Sequence, residues 1–527
     1  MAPRAKANQK VKMAPTTSTT ASKKRERDET DVAKPAPKRQ KAAPAEKKKP
    51  APTKKAPAAP AKKPAAKKPA AAKKPAAPVK KVINNAPTVE RHIYVMGEGS
   101  AGELGLGATK GACNVKRPRL NQLLEKAGVV DLAVGGMHCI ALTKNNELLT
   151  WGVNDNKALG RPLPEWSSRE VDPDASDSDE DDEGLDLNPY ESAPTAIPAD
   201  SFPAGTVFTQ VAAGDSASYA VTDEGLVYGW GTYRNDQGIW GFTTDSTGKL
   251  VKEQKVPVQI ANLKNITAVS CGDNHTLAVD NKGVVYAWGS GQQDQLGRRI
   301  VARHAEKNLT PAPVPIPRKA KIESIIAGPN HSFALEKNGT VWAWGLNNFA
   351  QTGIPYPEDQ DNDIITAPTK VASLADHKID TIGVGANHSV ALTSEGDLLA
   401  FGRLENHALG IKITDELTSN AELVRKNEAG KPKILMQPRK ITIPPVEGET
   451  GEVKFANVGC GPDHNIAVTT EGRAYGWGFN ANFQVGVGRD DDEVVEPERL
   501  VSKWIAETKL DWVGCGGQFS MVGGVDK

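Results

Sequence analysis

One phrase recurs seven times along this chain: an apolar strand, a Gly-x-x-His turn, a second strand ending Ala-Leu or Ala-Val, a glycine turn, and a third strand ending Trp-Gly. Clear copies are Cys271-Gly272-Asp273-Asn274-His275 leading to Ala287-Trp288-Gly289, and Ala327-Gly328-Pro329-Asn330-His331 leading to Ala343-Trp344-Gly345. The leading glycines are Gly135, Gly214, Gly272, Gly328, Gly385, Gly461 and Gly516, and where nothing intervenes they stand 58, 56, 57 and 55 residues apart. That period suits small radial sheets and excludes the shorter helical solenoids. The repeats open with only the second half of a unit, from Ile93-Tyr94-Val95-Met96-Gly97, and close with only the first half, Trp512-Val513-Gly514-Cys515-Gly516. The halves make one blade between them, which leaves no open sheet edge. The fold predicted is therefore all-β, a seven-bladed β-propeller closed by a shared N- and C-terminal blade. Two insertions break the period: residues 162–206, with an acidic run over 172–183, and residues 412–452, read as a mixed-charge loop.

Ahead of the repeats lies a segment of another kind. Residues 1–81 carry 25 Lys and Arg against 5 Asp and Glu, leaving 41 against 59 in the remainder, so a basic arm precedes an acidic body. Prolines interrupt it and like charges repel along it, so residues 1–88 are predicted to be a disordered arm and residues 89–527 the propeller. Lys23, Lys24, Arg25, Lys38, Arg39, Lys47, Lys48, Lys49, Lys62, Lys63, Lys67 and Lys68 are its candidate contacts to DNA, histones or a nuclear-import receptor. No apolar run approaches the roughly 18 residues needed to cross a bilayer, so no membrane partner is expected. The five cysteines, Cys113, Cys139, Cys271, Cys460 and Cys515, form no CxxC pair, and their odd number argues against a disulfide framework.

His138, His275, His331, His388 and His464 fall at one repeat position, with Ser218 read as the replacement in the second copy. Ringed around an axis they stand too far apart to share a metal ion, and each is expected to bond a backbone carbonyl of its own blade. With no Ser-His-Asp pattern, paired catalytic carboxylates or P-loop, neither covalent catalysis nor a cofactor is expected. A sharper signal comes from spacing. In six copies the glycine of Trp-Gly and the glycine closing the next turn are eight residues apart, but Gly231 and Gly241 are ten apart. The longer segment, Tyr233-Arg234-Asn235-Asp236-Gln237-Gly238-Ile239-Trp240, reads as a protruding hairpin.

The motifs Gly-x-x-His-Ser-x-Ala-Leu and Trp-Gly-x-Asn-x-x-x-Gln-Leu-Gly resemble the regulator of chromosome condensation family across residues 91–525. The resemblance implies a nuclear, chromatin-bound guanine-nucleotide exchange factor for the GTPase Ran, in which the hairpin acts as a β-wedge against the nucleotide site. The alternative is a propeller scaffold without exchange activity that adapts histones or DNA. Asp215 matches the family's exchange-critical aspartate, and Arg298, His138 and His388 match further interface residues. Asp273-Asn274 stands where the family has an aspartate directly before histidine, while Ser100 and Phe519 depart from the pattern. The loop from Arg298 to Lys319 resembles the segment that places arginines on histones, with Arg303 the candidate there.

Overall fold

The computed structural model describes residues 81–167, 186–245, 247–299, 302–357, 364–443 and 452–527. The candidate arm residues from Lys23 to Lys68 and the acidic run over 172–183 lie outside the described residues. Seven antiparallel sheets make the ring. Their inner strands, Val129–Val134, Phe208–Ala213, Ile266–Cys271, Ile322–Ala327, Ile379–Val384, Phe455–Cys460 and Thr508–Cys515, pack each on the next, and the last returns to the first. The closing blade takes two strands from each end of the repeat region, ordered Val115–Leu120, His92–Gly97, Phe519–Asp526, Thr508–Cys515.

Second strands such as His138–Thr143 are buried at every position, because a neighbouring blade covers each face of the sheet. They accordingly read as apolar runs and not as alternating patterns. The axis is too crowded for side chains at the leading glycines: a Cβ on Gly272 would lie 1.9 Å from the carbonyl oxygen of Gly328 in the next blade.

The expectation that each histidine bonds its own blade is corrected by the structure: the bonds run between blades. Nε2 of His138, His275, His331, His388 and His464 meets Ser218, Ser332, Ser389, Asn465 and Ser520 of the following blade at 2.8, 2.7, 3.1, 2.7 and 2.9 Å. Ser218 Oγ in turn donates to the Ala158 carbonyl at 2.9 Å, and Ser332 Oγ to that of Gln295 at 3.0 Å. Each hydroxyl hydrogen being committed, the serine oxygen accepts and Nε2 carries the proton. Asn465 reproduces both halves of the relay, accepting at Oδ1 and donating from Nδ2 to the Ala408 carbonyl at 2.7 Å. The same turn carbonyls accept the indole of the next blade, Trp230 at Ala158 (2.7 Å), Trp344 at Gln295 (2.8 Å) and Trp477 at Ala408 (3.1 Å).

The eight-residue glycine spacing now has a cause. The second glycine has positive φ and no side chain because the next blade's ring lies on it: a Cβ on Gly160 would stand 2.6 Å from Trp230. Ser332→Ala, which leaves the buried His275 N–H without an acceptor, should cost about 1–3 kcal/mol in urea unfolding. An unchanged midpoint would deny the relay its stabilising part.

Two boundaries move. Ile83 and Asn84, assigned to the arm, are bound to the ring: both backbone N–H groups donate to the Asp223 carbonyl, and Asn84 Nδ2 reaches the carbonyls of Thr222 and Ile266 at 2.9 and 2.8 Å. The 412–452 insertion is not simply a loop. It carries a short helix, Asp415–Ser419, capped by Thr414, and a strand, Val424–Lys426, that joins Pro432–Lys440 as the fifth strand of its blade. The last part of the 162–206 insertion likewise supplies an outer strand, Thr195–Ala196.

Candidate functional site

Because His275 pairs with Gly289 across neighbouring strands, the Gly-x-x-His turns and the segments after Trp-Gly emerge on the same face. On that face one blade differs from the rest. After Gly231 the chain forms the hairpin Tyr233–Asn235 and Gly238–Gly241, with Arg234 opposite Ile239 and Asn235 opposite Gly238. A second short pair, Thr243–Thr244 with Leu250–Val251, follows it and gave no signal in the repeat spacing.

The hairpin has an apolar root and a polar, projecting end. Tyr233 is 1 % exposed and Trp240 half-buried, whereas Arg234, Asp236, Gln237 and Ile239 face solvent, Ile239 at 42 %. Beneath it sits a cluster absent from the sequence reading: the Tyr233 and Phe242 rings stack at 6.0 Å, Tyr219 stacks on Phe242 at 6.0 Å, and Trp288 meets Tyr219 edge-on at 5.6 Å. The following blade holds the hairpin from the side. Asn274 Oδ1 accepts from the Arg234 N–H at 2.7 Å, Gln292 Oε1 accepts from the Asp236 N–H at 3.2 Å, and Gln292 Nε2 donates to Asp236 Oδ1 at 2.7 Å. Asn274, a departure from the family pattern, is thus a support for the hairpin.

Beside the hairpin opens the central shaft, a cavity of about 290 Å³ whose lining includes Met137, Asp215, Cys271, Asp273, Cys460 and Cys515. Asp215 is half-buried; its Oδ2 accepts from Ser216 Oγ at 3.0 Å, and its backbone N–H donates to the Asp273 carbonyl at 3.2 Å. The Asp273 side chain reaches the shaft solvent, yet the protein crowded around it, and then the charge of Asp215, push its carboxyl up to about 7. Two acids therefore meet at one mouth of the shaft and concentrate negative charge there.

The remaining candidates are placed otherwise. His138 and His388 are buried in the inter-blade relay, each 1 % exposed, and burial holds the His138 imidazole down at about 4 and lowers that of His388. They shape the face without standing on it. Arg298 turns inward, donating to Asn308 Oδ1 at 3.3 Å and the Ala287 carbonyl at 3.4 Å. Arg161 at the same repeat position does likewise, to the Thr150 carbonyl at 3.1 Å and that of Tyr190 at 2.7 Å. Two equivalent arginines pinning two equivalent loops was the available sign of a structural task. Ser100 is exposed and bonded to Glu98 at 2.8 Å, and the side chain of Arg303 lies outside the described residues. The histidine position of the hairpin blade is corrected as well: Ala217, opposite Gly231, occupies it, and Ser218 is the acceptor one place on.

The RCC1-like domain family matches residues 92–522. Guanine nucleotide exchange factor SRM1 of Saccharomyces cerevisiae is 39% identical over 441 residues, 82% of this chain and 87% of that protein. Protein pim1 of Schizosaccharomyces pombe is 38% identical, covering 84% of this chain and 76% of its own length. Among solved structures, Prp20p of Saccharomyces cerevisiae, described with its binding properties to Gsp1p and histones, superposes with a TM-score of 0.72 at 35% identity over 85% of this chain and 96% of that one. The seven-bladed ring, its repeat and these relatives agree, and the chain belongs to the RCC1-like domain family.

Proposed function

We propose that the protein is a guanine-nucleotide exchange factor for the nuclear GTPase Ran, acting on chromatin, with the Tyr233–Trp240 hairpin as its wedge. The observation that carries this is positional: a single blade gives up the common turn for a hairpin, and the hairpin stands on the face where Asp215 and Asp273 meet. The relatives support it, one being named a guanine nucleotide exchange factor and another having binding properties to Gsp1p and histones. A yeast RCC1 (Prp20) structure with Kap60 bound supports an import receptor as a partner of the basic arm.

The work involves no bond making. A GTPase holds its nucleotide through backbone amides, a lysine and Mg²⁺ around the phosphates. A partner that binds the nucleotide-free form more tightly lowers the barrier to release. The hairpin, projecting from a fixed root, displaces the phosphate-binding segment, and Asp215 and Asp273 draw basic groups of the GTPase to the shaft mouth. The arm's lysines and arginines, with Arg303, hold the protein to nucleosomal DNA and histones.

Release of fluorescent GDP from Ran should accelerate on adding the protein. Asp215→Ala should slow that release about tenfold, the worth of one charged contact, while changing stability by less than about 1 kcal/mol. No acceleration by micromolar wild-type protein would leave the alternative, a non-exchanging chromatin adaptor.

A further inference from the structure

The seven junctions between blades are not equivalent, and the one that departs furthest lies beneath the hairpin. Five are closed by a histidine donating to the next blade. At a sixth, Phe519 takes the histidine position and Cys139 the acceptor position, both within one apolar cluster, so neither side requires a hydrogen bond. At the seventh the acceptor is present as Thr276, fully buried, but the histidine position holds Ala217. The Thr276 hydroxyl donates to Cys271 Sγ at 3.7 Å, but facing alanine its oxygen would be left without the donor that histidine supplies at other junctions. The partner arrives from elsewhere: Tyr233 Oη lies 2.7 Å from Thr276 Oγ1 and is also bonded to Tyr219 Oη. Trp288 is displaced in the same way. Its counterparts Trp151, Trp230, Trp344 and Trp477 donate to a turn carbonyl, and the hairpin has removed that turn, so Trp288 donates to Tyr219 Oη at 3.2 Å.

We propose that Tyr233 is a positioning residue which takes over the junction vacated by the missing histidine, so that the contact closing the ring there also sets the pitch of the hairpin. Its ring is fixed by Phe242, nearly parallel at 11°, and its hydroxyl by two partners on different blades, Tyr219 and Thr276. From the next residue onward the hairpin is held by side-chain hydrogen bonds from Asn274 and Gln292 at its side and by Trp240 packed against the root. Loss of the hydroxyl therefore leaves the projecting segment in place on average but free to tilt. Insofar as it concerns nucleotide release, this inference rests on the exchange reading above.

The test measures deuterium uptake by the backbone amides of Arg234–Trp240 in the full-length protein. Tyr233→Phe keeps the stacked ring and should raise the uptake rate about tenfold, as should Thr276→Val from the other end of the bond, while Thr276→Ser stays within about twofold of wild type. Wild-type uptake in both Tyr233→Phe and Thr276→Val overturns the anchor. In the GDP-release assay the two loosened variants should lower the maximal rate and leave the half-saturating concentration unchanged. A raised half-saturating concentration at an unchanged maximal rate would make Tyr233 a contact and overturn its positioning role. If the wild type itself releases no GDP, the exchange reading fails, and deuterium uptake still decides the anchor.

Discussion

A triple variant of the hairpin surface, Arg234→Ala, Gln237→Ala and Ile239→Ala, is expected to melt within a few degrees of wild type and to release GDP from Ran a hundredfold more slowly or worse. The three side chains face solvent and carry none of the contacts that root the hairpin, so the ring does not depend on them. Tyr233, Phe242 and Trp240 keep the root filled, and Asn274 and Gln292 still hold the hairpin backbone. What is lost is the surface a GTPase would meet only on passing to its nucleotide-free state. Interactions of that kind act on the rate of release more than on initial docking. About 3 kcal/mol shared among three such contacts corresponds to roughly a hundredfold. A folded triple variant working at the wild-type rate would remove the hairpin as the working element while leaving the fold untouched.

The second large effect is on stability, and it comes from acid. Burial holds His138 at about 4 and His275, His331 and His464 at about 3, and lowers His388 as well, against about 6.5 in an unfolded chain. The folded state keeps these rings neutral while the unfolded state takes up protons below pH 6.5. Their contribution is therefore intact at neutral pH and is lost as pH falls from about 6.5 toward 3. At pH 5 each of His138, His275, His331 and His464 costs roughly 2 kcal/mol, and His388 adds in the same direction. Six groups run the other way: the surrounding protein raises Asp131 to about 6 and Asp273 to about 7 and also raises Glu103, Glu191 and Asp294, and the hydrogen bond that His92 donates to Glu125 raises His92, so each favours the folded state as the pH drops. Five rings outweigh them. The net loss between pH 7 and pH 5 should be about 2–5 kcal/mol, a large part of an ordinary domain's stability. A melting temperature at pH 5 within a couple of degrees of that at pH 7 would contradict the buried, neutral relay.

Much of this molecule was legible in the sequence because its restraints repeat. The glycines at the axis, the Trp-Gly strand ends and the split closing blade are local requirements imposed seven times, and the ten-residue interval after Gly231 stood out against six intervals of eight. What the sequence concealed were pairings between blades. Nothing local shows that His388 bonds Asn465, 77 residues away, although the recurring Ser or Asn one place after the histidine position was the available signal. Placing Ser218 at that position was a one-residue slip, which in a strand moves a side chain to the other face. The fifth strand at Val424–Lys426 was missed because charged residues surround it, and because the run Ile434-Leu435-Met436 was never paired with anything. Arg298 was read as an interface residue from its match to the family, whereas its place after a turn glycine, shared with Arg161, turns it into the blade.

The closing blade also bears on how the protein is made. Strand His92–Gly97 is made before the rest of the ring and has no inner neighbour until Phe519–Asp526 pairs with it, more than four hundred residues later. Until Thr508–Cys515 and Phe519–Asp526 have been made the growing ring is an open arc with a bare edge at His92–Gly97, and those two strands complete it. A stop codon falling there does not yield a slightly shorter propeller. It yields an arc that never closes, exposing the apolar flank of Trp151 and Val95 that the last strands cover.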